Sequence, residues 1–385
     1  MLSEGQRALL IDCCRELVRI QSLPGSEGAA AELSASWMRR LGYDSVEVDE
    51  YGSVVGRIAG AAGPGPRLHF DGHLDTVPAT DRDAWRHDPF AADLADGAIW
   101  GRGAADMKGP LAAMICAAAW TPRERLRGSL TVSASVAEEV FEGAALQAIL
   151  ARYPADMVVI GEPTLLRAGI GQKGRAGIRV TAQGRLAHSS APQEGDNAVY
   201  RMLDAVARLR ALAPPEDALL GPGLMELVEI VSSPFPGTGM VPDRCDARWD
   251  RRLVRGETRA GVLEGLRAAL AGLPQVEVSF LEVVTHCYTG ATLRGEDFHP
   301  AWELPADSPL AQAALAAVER AGLAPSVWTA PYCTNGSRAA VDLGLPTIII
   351  GPGDPAVLHV ADEHITLDQL ERGAAVYAGM IAALC

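Results

Sequence analysis

Apolar and polar positions in the first part of the chain follow two alternating rhythms. Apolar residues at helical spacing predict helices, and short apolar runs bounded by turn residues predict buried strands. The predicted order is a helix over 3–20 with Ser3 and Gln6 as a capping box, extended chain over 46–58, a strand over 67–70, a helix over 107–120, a strand over 129–136, a helix over 143–153 and a strand over 157–160. This alternation is typical of a mainly parallel sheet covered by helices on both faces.

The middle of the chain has a different rhythm. Its predicted elements are strands over 176–183, 225–232, 244–253 and 276–284, with helices over 196–212 and 258–271 between them. The order β-α-β-β-α-β is that of a ferredoxin-like unit. The first rhythm then resumes, with helices over 309–321, 337–343 and 366–384 and a strand over 347–350. We therefore predict an α/β protein in which a discontinuous domain of residues 1–174 and 287–385 is interrupted by an inserted domain of residues 175–286.

Composition narrows the classes of partner and compartment. The 385 residues carry a formal net charge of −14, and an acidic surface repels phosphate backbones, so nucleic acid is not an expected partner. The seven cysteines form no C-x-x-C pair, which favours reduced thiols in the cytoplasm over a disulfide framework. No apolar run approaches the roughly 20 residues that span a bilayer, and the charged N-terminal helix does not resemble a signal peptide. We expect a soluble cytoplasmic protein without a membrane partner.

Acidic and imidazole side chains follow several predicted strands at the point where each strand ends. The set comprises His73 and Asp75, Glu138 and Glu139, Glu162 and His359, with Asp106 just before a predicted helix. Open parallel sheets bind ligands outside the carboxyl ends of their strands, and divalent metals need converging carboxylates and imidazoles. Each residue alone has an ordinary structural explanation, such as a hydrogen-bonded core histidine or a helix N-cap. Their joint occurrence predicts one metal site.

Five segments, in this order, resemble a known family. HFDGHLDTVP, GRGAADMKG, ASVAEEVFEGA, GEPT and LHVADEH are similar to the motifs of the co-catalytic zinc peptidases and deacylases, which include aminoacylase-1, acetylornithine deacetylase, succinyl-diaminopimelate desuccinylase and carboxypeptidase G2. GRLAHSSAP, VPDRCDARWDRRLVRGET and YCTNGS most resemble a subgroup named as selenium-metabolism hydrolases, a name that establishes no reaction. The resemblance covers nearly the whole chain. It implies a mainly parallel catalytic domain with a ferredoxin-like lid and dimerisation domain.

The resemblance also implies two divalent metal ions per subunit, expected to be zinc, with cobalt or manganese as alternatives. The implied roles are Asp106 as the bridge between the ions, His73 and Glu162 as ligands of one, Glu139 and His359 as ligands of the other, Asp75 as the acceptor from the His73 ring, and Glu138 as the general base. Two cations lower the pKa of a shared water, and a carboxylate beside it can take its proton. Adjacent Glu138 and Glu139 suit this division only if a turn aims both at the metals, because a strand would point them to opposite faces.

One further role concerns assembly. In the resembling family, the histidine of the segment GRLAHSSAP, here His188, reaches the active site of the other subunit of a dimer and stabilises the oxyanion. The alternative is a loop histidine that binds nearby Ser189 or Ser190. The resemblance therefore implies a homodimer formed through the lid, with His188 acting in trans.

Substrate recognition is less clearly encoded. Arg252 resembles the arginine that binds the substrate carboxylate, and Arg251 is the competing candidate. Met240 stands where several relatives have an asparagine that helps to bind substrate. Asn335, in the loop CTNGSR, is a candidate pocket residue, but several relatives carry an aspartate in this loop. These departures weaken the case for recognition of an amino-acid carboxylate.

Together these residues predict a metal-dependent hydrolase that cleaves an amide bond of a small N-acyl amino acid, dipeptide or related compound. The alternatives are hydrolysis of a non-peptide C–N bond, as by a carbamoyl or amine-releasing aminohydrolase, and a non-catalytic relative that only binds a ligand. The presence of Glu138 and of all five metal ligands argues against the last alternative. A G-x-G-x-x-G pattern over 169–174 precedes a predicted strand rather than a helix, so it does not predict a dinucleotide site.

Overall fold

A computed structural model describes residues 2–385 of the chain. The helices are α1 (Glu4–Val18), α2 (Gly28–Arg40), α3 (Gly109–Ala119), α4 (Ala144–Arg152), α5 (Ala198–Arg210), α6 (Arg259–Leu270), α7 (Pro309–Arg320) and α8 (Leu367–Leu384). The strands are β1 (Ser45–Val48), β2 (Val54–Ala59), β3 (Arg67–His73), β4 (Asp93–Ala95), β5 (Ala98–Trp100), β6 (Ser129–Ser135), β7 (Met157–Ile160), β8 (Ala168–Gln172), β9 (Gly174–Gln183), β10 (Ala187–His188), β11 (Glu216–Asp217), β12 (Gly221–Pro222), β13 (Leu224–Ser233), β14 (Met240–Val241), β15 (Arg244–Leu253), β16 (Val276–Phe280), β17 (Glu282–His286), β18 (Thr292–Glu296), β19 (Phe298–His299), β20 (Trp302–Glu303), β21 (Val327–Ala330), β22 (Thr347–Ile349) and β23 (His364–Thr366).

The larger sheet has the strand order β1-β2-β6-β3-β7-β22-β8-β20, and β21 also pairs with β8. Its four central strands, β6, β3, β7 and β22, run parallel, whereas β1, β2 and β20 are antiparallel to their neighbours. Helices cover the sheet and enclose one large apolar core, in which α3 is buried along almost its whole length. The predicted α/β class with a parallel centre is confirmed. Because the four central strands are parallel, their carboxyl ends lie at one edge of the sheet.

Local signals account for where the first and third helices begin. The Ser3 side chain accepts a hydrogen bond from the Gln6 amide, and the Gln6 side chain returns one to the Ser3 amide, so the predicted capping box is confirmed. The helix predicted over 107–120 begins later, at Gly109, with Pro110 in its first turn. The five residues before it, 104–108, form a wide turn in which Asp106 and Met107 have non-helical backbone angles.

The smaller sheet has the order β13-β15-β9-β16, with every neighbouring pair antiparallel and β19 added beside β9. Helices α5 and α6 pack on it around a second apolar core that includes Trp249 and Phe298. The chain order and the strand order are those of a ferredoxin-like unit, as predicted. The strand predicted over 276–284 is wrong in extent, because the chain divides at Leu281 into β16 and β17, and β17 pairs with β18 instead.

The division into a catalytic domain of residues 1–174 and 287–385 and a lid of residues 175–286 stays a proposal. Two sheets and two apolar cores support it. Because β19 pairs with β9 and Phe298 lies in the second core, the arrangement favours a second boundary nearer residue 299.

Three further features bear on the sequence interpretation. All seven cysteines are free thiols, and six are buried. The glycines of the G-x-G-x-x-G pattern lie in β8 and at the start of β9, where a side chain on Gly169 would meet the backbone of Ile349. Within residues 2–385, no helix combines the length and the apolar composition needed to cross a membrane.

Candidate metal centre

His73 is the last residue of β3, and its two ring nitrogens have different partners. Nδ1 donates a hydrogen bond to the backbone carbonyl of Asp75 (2.8 Å), which leaves Nε2 as the atom that faces the carboxylates. Nε2 lies 3.1 Å from Oδ1 of Asp106 and 3.5 Å from Oε1 of Glu162, the residue that follows β7 and Gly161. The expected contact from the Asp75 carboxylate to this ring is longer, at 3.7 Å.

The Asp75 carboxylate instead holds the turn that follows β6. Its two oxygens accept hydrogen bonds from the backbone amides of Glu138 (3.1 Å) and Glu139 (2.9 Å). Ala137, just before them, has a φ of 58°, in the left-handed region that non-glycine residues rarely adopt. This turn breaks the alternation of a strand, so both glutamates face the same cavity.

Asp106 lies in the wide turn before α3, and Glu363 holds that turn. The Glu363 side chain is fully buried, and its Oε1 accepts hydrogen bonds from the backbone amides of Ala105 (3.0 Å) and Asp106 (2.9 Å). Its Oε2 pairs with Arg102 at 2.5 Å. Sequence reasoning missed Glu363, although it lies in the segment LHVADEH that also supplies His359.

His359 comes from the loop after β22, which begins with the Gly-Pro-Gly turn of residues 351–353. A Cβ on Gly351 would overlap the carbonyl of Gly161, so the loops after β22 and β7 can cross this closely only with glycine. Nε2 of His359 lies 3.2 Å from Oδ2 of Asp106 and 3.4 Å from Oε2 of Glu139.

The five predicted ligands therefore converge in two halves that share Asp106. Oδ1 of Asp106 lies beside His73, which also contacts Glu162, and Oδ2 lies beside His359, which also contacts Glu139. Two ligand atoms about 2.1 Å from a tetrahedral metal lie roughly 3.4 Å apart. The separations of 3.5 Å for His73–Glu162 and 3.4 Å for His359–Glu139 match that value, so the residues fit one divalent ion in each half.

The charges of the site point the same way. Burial raises the pKa of Glu162 to about 7 and that of Glu138 well above its usual range. Hydrogen bonds to Asp106 and Glu139 raise the pKa of His359 to about 10. Burial opposes ionisation of Asp106, but the two histidines hold its pKa below the usual value. The cluster thus requires compensating positive charge, and two divalent ions would balance the four carboxylates of Asp106, Glu138, Glu139 and Glu162.

Four of the five predicted ligands, all except His73, line a cavity of about 360 Å³. Arg252, on β15, lines this cavity and pairs with Asp250 at 2.9 Å. Arg251 points away and forms a buried ion pair with Glu257 at 2.6 Å, so of the two candidates only Arg252 reaches the site.

Asn335, in contrast, is not brought to the cavity wall. It is buried under the loop after β6, where its side-chain oxygen accepts from the Gly143 amide (2.5 Å). Its amide nitrogen donates to Asp71 (2.7 Å) and Ser135 (3.1 Å). These contacts occupy both ends of the amide, and the substrate-binding role of Asn335 stays a prediction.

A second group of charged residues joins the catalytic side of the cavity to the lid sheet. Arg175, at the start of β9, lies 3.0 Å from Glu142 and 2.8 Å from Asp297. Nε2 of His299 contacts Asp297 at 3.1 Å and Glu142 at 3.5 Å. The Arg175 guanidinium already pairs with both carboxylates, so we interpret this group as an inter-sheet network rather than a third metal site.

His188 lies on the lid, in the two-residue strand β10 that pairs with β14. Its Nδ1 accepts a hydrogen bond from the Ser190 amide (3.1 Å) and lies 2.7 Å from the Ser190 hydroxyl. The side chain is exposed and does not line the cavity of its own chain. Because Nδ1 accepts, the neutral ring carries its proton on Nε2, which points a donor outward.

Comparisons with known proteins agree with this geometry. The sequence model of peptidase family M20/M25/M40 matches residues 69–383. YgeY from Escherichia coli K12, described as an uncharacterized protein, is 34% identical over 381 residues and covers 95% of this chain and 92% of its own length. The succinyl-diaminopimelate desuccinylase of Parvibaculum lavamentivorans is 29% identical over 401 residues, which are 95% of this chain and 93% of the desuccinylase.

Solved structures share the fold over nearly the whole chain. The aminopeptidase PepT from Bacillus cereus has a TM-score of 0.75 at 18% identity, covering 98% of both chains. The YXEP protein from Bacillus subtilis, a dinuclear metal-binding peptidase of the M20 family, has a TM-score of 0.71 at 16% identity, covering 99% of this chain and 98% of its own. At these identities the likeness establishes the common architecture of a catalytic sheet and a lid.

Proposed function

Because the chain belongs to peptidase family M20/M25/M40, we propose that it hydrolyses an amide bond of a small N-acyl amino acid, dipeptide or related compound. The observation that carries this proposal is the two-sided placement of Asp106 between two histidine–glutamate pairs, with Glu138 on the same turn as Glu139. A purely structural role would not account for so many buried carboxylates in one cavity.

The proposed metal ligands are His73 and Glu162 for one ion and His359 and Glu139 for the other, with Asp106 shared. Nitrogen and carboxylate donors in this number suit zinc, and cobalt or manganese would also accept them. When bound, two such ions lower the pKa of a water molecule between them and polarise the substrate carbonyl.

Glu138 is the proposed general base. Its side chain lines the cavity, and its amide is fixed by Asp75, so its carboxylate is held beside the proposed ligands. It would take a proton from the attacking water and then deliver that proton to the leaving nitrogen. Burial raises its pKa, which makes the protonated form easier to reach in the second step.

The charges of the cavity wall favour a second candidate reaction. This reaction is hydrolysis of a non-peptide C–N bond, such as that of a carbamoyl compound. Arg252 and Arg175, the two cationic side chains of the cavity wall, are each already paired with carboxylates. Asn335 is occupied elsewhere, and Met240 offers no hydrogen bond in place of an amide. The wall therefore has no unpaired cation for a substrate carboxylate.

We further propose a homodimer through the lid. Strand β13 is an edge of the lid sheet and exposes four apolar side chains: Leu224, Val228, Ile230 and Val231. Helix α5, beside it, exposes Tyr200 and Leu203. An exposed apolar edge of this kind invites pairing with another chain, and a two-fold pairing closes the assembly. His188 would then act in trans, with its outward Nε2 donor aimed at the partner subunit's cavity.

The test is a screen of N-acyl amino acids, dipeptides and carbamoyl compounds with zinc, cobalt and manganese added separately to metal-free protein. We expect turnover of one class, dependent on metal, and the class identifies the reaction. Glu138→Gln should keep metal and fold while turnover falls by about 10² or more. Metal loss in that variant would indicate that Glu138 is a metal ligand and Glu139 the general base. Undiminished turnover would show that Glu138 has no part in the mechanism.

A further inference from the structure

One polar side chain of the cavity wall has no role in the mechanism proposed above and no hydrogen-bond partner among residues 2–385. Tyr332 lines the cavity together with Asp106, Glu138 and Glu162. Its hydroxyl is buried and makes no hydrogen bond to the protein. The other unassigned polar groups of the wall are paired: Glu142 with Arg175, and the Cys333 thiol with Ser337 at 3.3 Å.

A buried hydroxyl without a partner is costly, so the position makes physical sense if something that enters the cavity supplies an acceptor. The ring is held ready for this, because it packs edge-on against Trp328 with ring centroids 6.0 Å apart. Arg167 in turn lies over the Trp328 ring at 5.1 Å. The hydroxyl is therefore preorganised and does not have to be recruited from solvent.

The chemistry of the phenol fixes the direction of the hydrogen bond. A tyrosine hydroxyl has an ordinary pKa of about 10, so at neutral pH it remains protonated and is a donor. The carboxylates of Asp106, Glu138 and Glu162 already have assigned tasks, so the acceptor that remains is an oxygen of the substrate.

We propose that Tyr332 is a further catalytic residue, whose hydroxyl donates a hydrogen bond to the oxygen of the scissile carbonyl as that oxygen becomes negative. The inference rests on the proposed amide hydrolysis. Water adds to the carbonyl carbon, the carbonyl π electrons move to oxygen, and the proton of the water passes to Glu138. Tyr332 keeps its own proton and contributes only the hydrogen bond. Unlike His188, it belongs to the same chain as the metal ligands.

The variant Tyr332→Phe removes only the hydroxyl. With the amide substrate found by screening, we expect kcat to fall by about 10²-fold, because one well-placed donor contributes on this scale. The KM should change by less than about threefold, since the hydrogen bond strengthens only in the transition state. A phosphonamidate analogue of that substrate should bind more weakly by a factor similar to the loss in kcat/KM, whereas metal content and the unfolding midpoint should stay unchanged. Tyr153→Phe, which removes a buried hydroxyl outside the cavity, is the matched control.

Three results would overturn the assignment: an unchanged kcat, a loss confined to KM, or a loss of metal or stability that accounts for the lower rate. Glu138→Gln in the same assay tests the proposed mechanism separately from the role of Tyr332. If Glu138→Gln is inactive while Tyr332→Phe is fully active, the proposed function stands and the role of Tyr332 falls. If Glu138→Gln turns over normally, the proposed mechanism falls and the inference falls with it.

Discussion

At the scale of single residues, the site depends on side chains that position other side chains. Asp75 fixes the amides of Glu138 and Glu139, and Glu363 fixes the amide of Asp106. In both cases a buried carboxylate accepts from two consecutive backbone N–H groups, which sets the direction of the segment. Such contacts around a metal site orient the ligands before metal binds.

Glu363→Gln should weaken metal binding by about 10–100-fold, the usual cost of losing a contact that orients a ligand. The glutamine amide nitrogen cannot accept from Arg102 or from the Ala105 and Asp106 amides, so the turn carrying Asp106 loosens. Metal affinity is measured by competition with a chelator. The control is Asp362→Asn, which removes a charge from the neighbouring residue, where it pairs with exposed Arg86. Equal losses in both variants would contradict a specific role for Glu363.

Metal affinity and the stability of the metal-free fold should change with pH in opposite directions. The pKa of His359 is raised to about 10, so metal-free protein retains a proton there at neutral pH and metal must displace it. Metal affinity should therefore rise between pH 6 and pH 9, with proton release visible by calorimetry in buffers of different ionisation enthalpy. The metal-free fold, in contrast, should lose stability as pH rises from about 6.5 toward 10, because a raised histidine pKa stabilises only the protonated state. Metal affinity that is constant over this range would exclude the proton as the competitor.

The sequence was sufficient to locate the proposed ligands but not the residues that orient them. His73, Glu139, Glu162 and His359 could be found because each follows a buried apolar run, which is a local pattern. Glu363 could not be distinguished from a solvated acid, because its partners lie more than 250 positions away in the chain. The contacts of Asn335 with Asp71 and Gly143 could not be predicted for the same reason, since they are long-range.

At the scale of secondary-structure elements, the lid meets the catalytic sheet through the inter-sheet network of Glu142, Arg175, Asp297 and His299. Glu142 follows the turn that contains Glu138 and Glu139. Arg175 lies at the start of β9, and Asp297 and His299 flank Phe298 of β19. The network thus ties the segment that carries Glu138, the proposed general base, to β9 and β19 of the lid sheet. Sequence periodicity predicted the two sheets, but it could not predict this contact, because contacts between distant segments leave no periodic pattern in the sequence.

Arg175→Gln should destabilise the protein by about 3 kcal/mol, because it leaves the buried acids Glu142 and Asp297 without a cation. Adding Glu142→Gln to that variant should restore part of the loss, since one of the orphaned charges is then removed. Urea unfolding of the four members of this cycle measures the coupling. The control pair is Arg294 and Glu282, which is exposed on the β17–β18 hairpin and should contribute less than about 1 kcal/mol. A coupling free energy between Arg175 and Glu142 no larger than that of the control pair would show that the network does not stabilise the contact between the two sheets.

At the scale of the whole molecule, the exposed edge of the lid links assembly to catalysis. If β13 forms the dimer interface, a charged side chain on it should separate the subunits, because an unpaired charge cannot be buried there cheaply. Val228→Lys should therefore yield a monomer that retains metal but loses most turnover. Val284→Lys places the same charge on an exposed apolar position of β17, outside the proposed interface, and should remain dimeric and active. Light scattering and turnover are the measurements, and an active Val228→Lys monomer would contradict the coupling.

Complementation between two inactive variants tests directly whether His188 acts in trans. His188→Ala should lower kcat strongly without loss of metal, and Glu138→Gln should do the same for a different reason. In a heterodimer of the two, the subunit that lacks His188 keeps its own Glu138 and receives His188 from its partner, so one of the two sites is complete. Equal mixing with free exchange makes half of the dimers mixed, and about a quarter of all sites should then be active. Exchange is demonstrated separately with differently labelled subunits. If exchange is complete and no activity returns, His188 acts within its own chain or not at all, and the reach of the lid across the dimer is excluded.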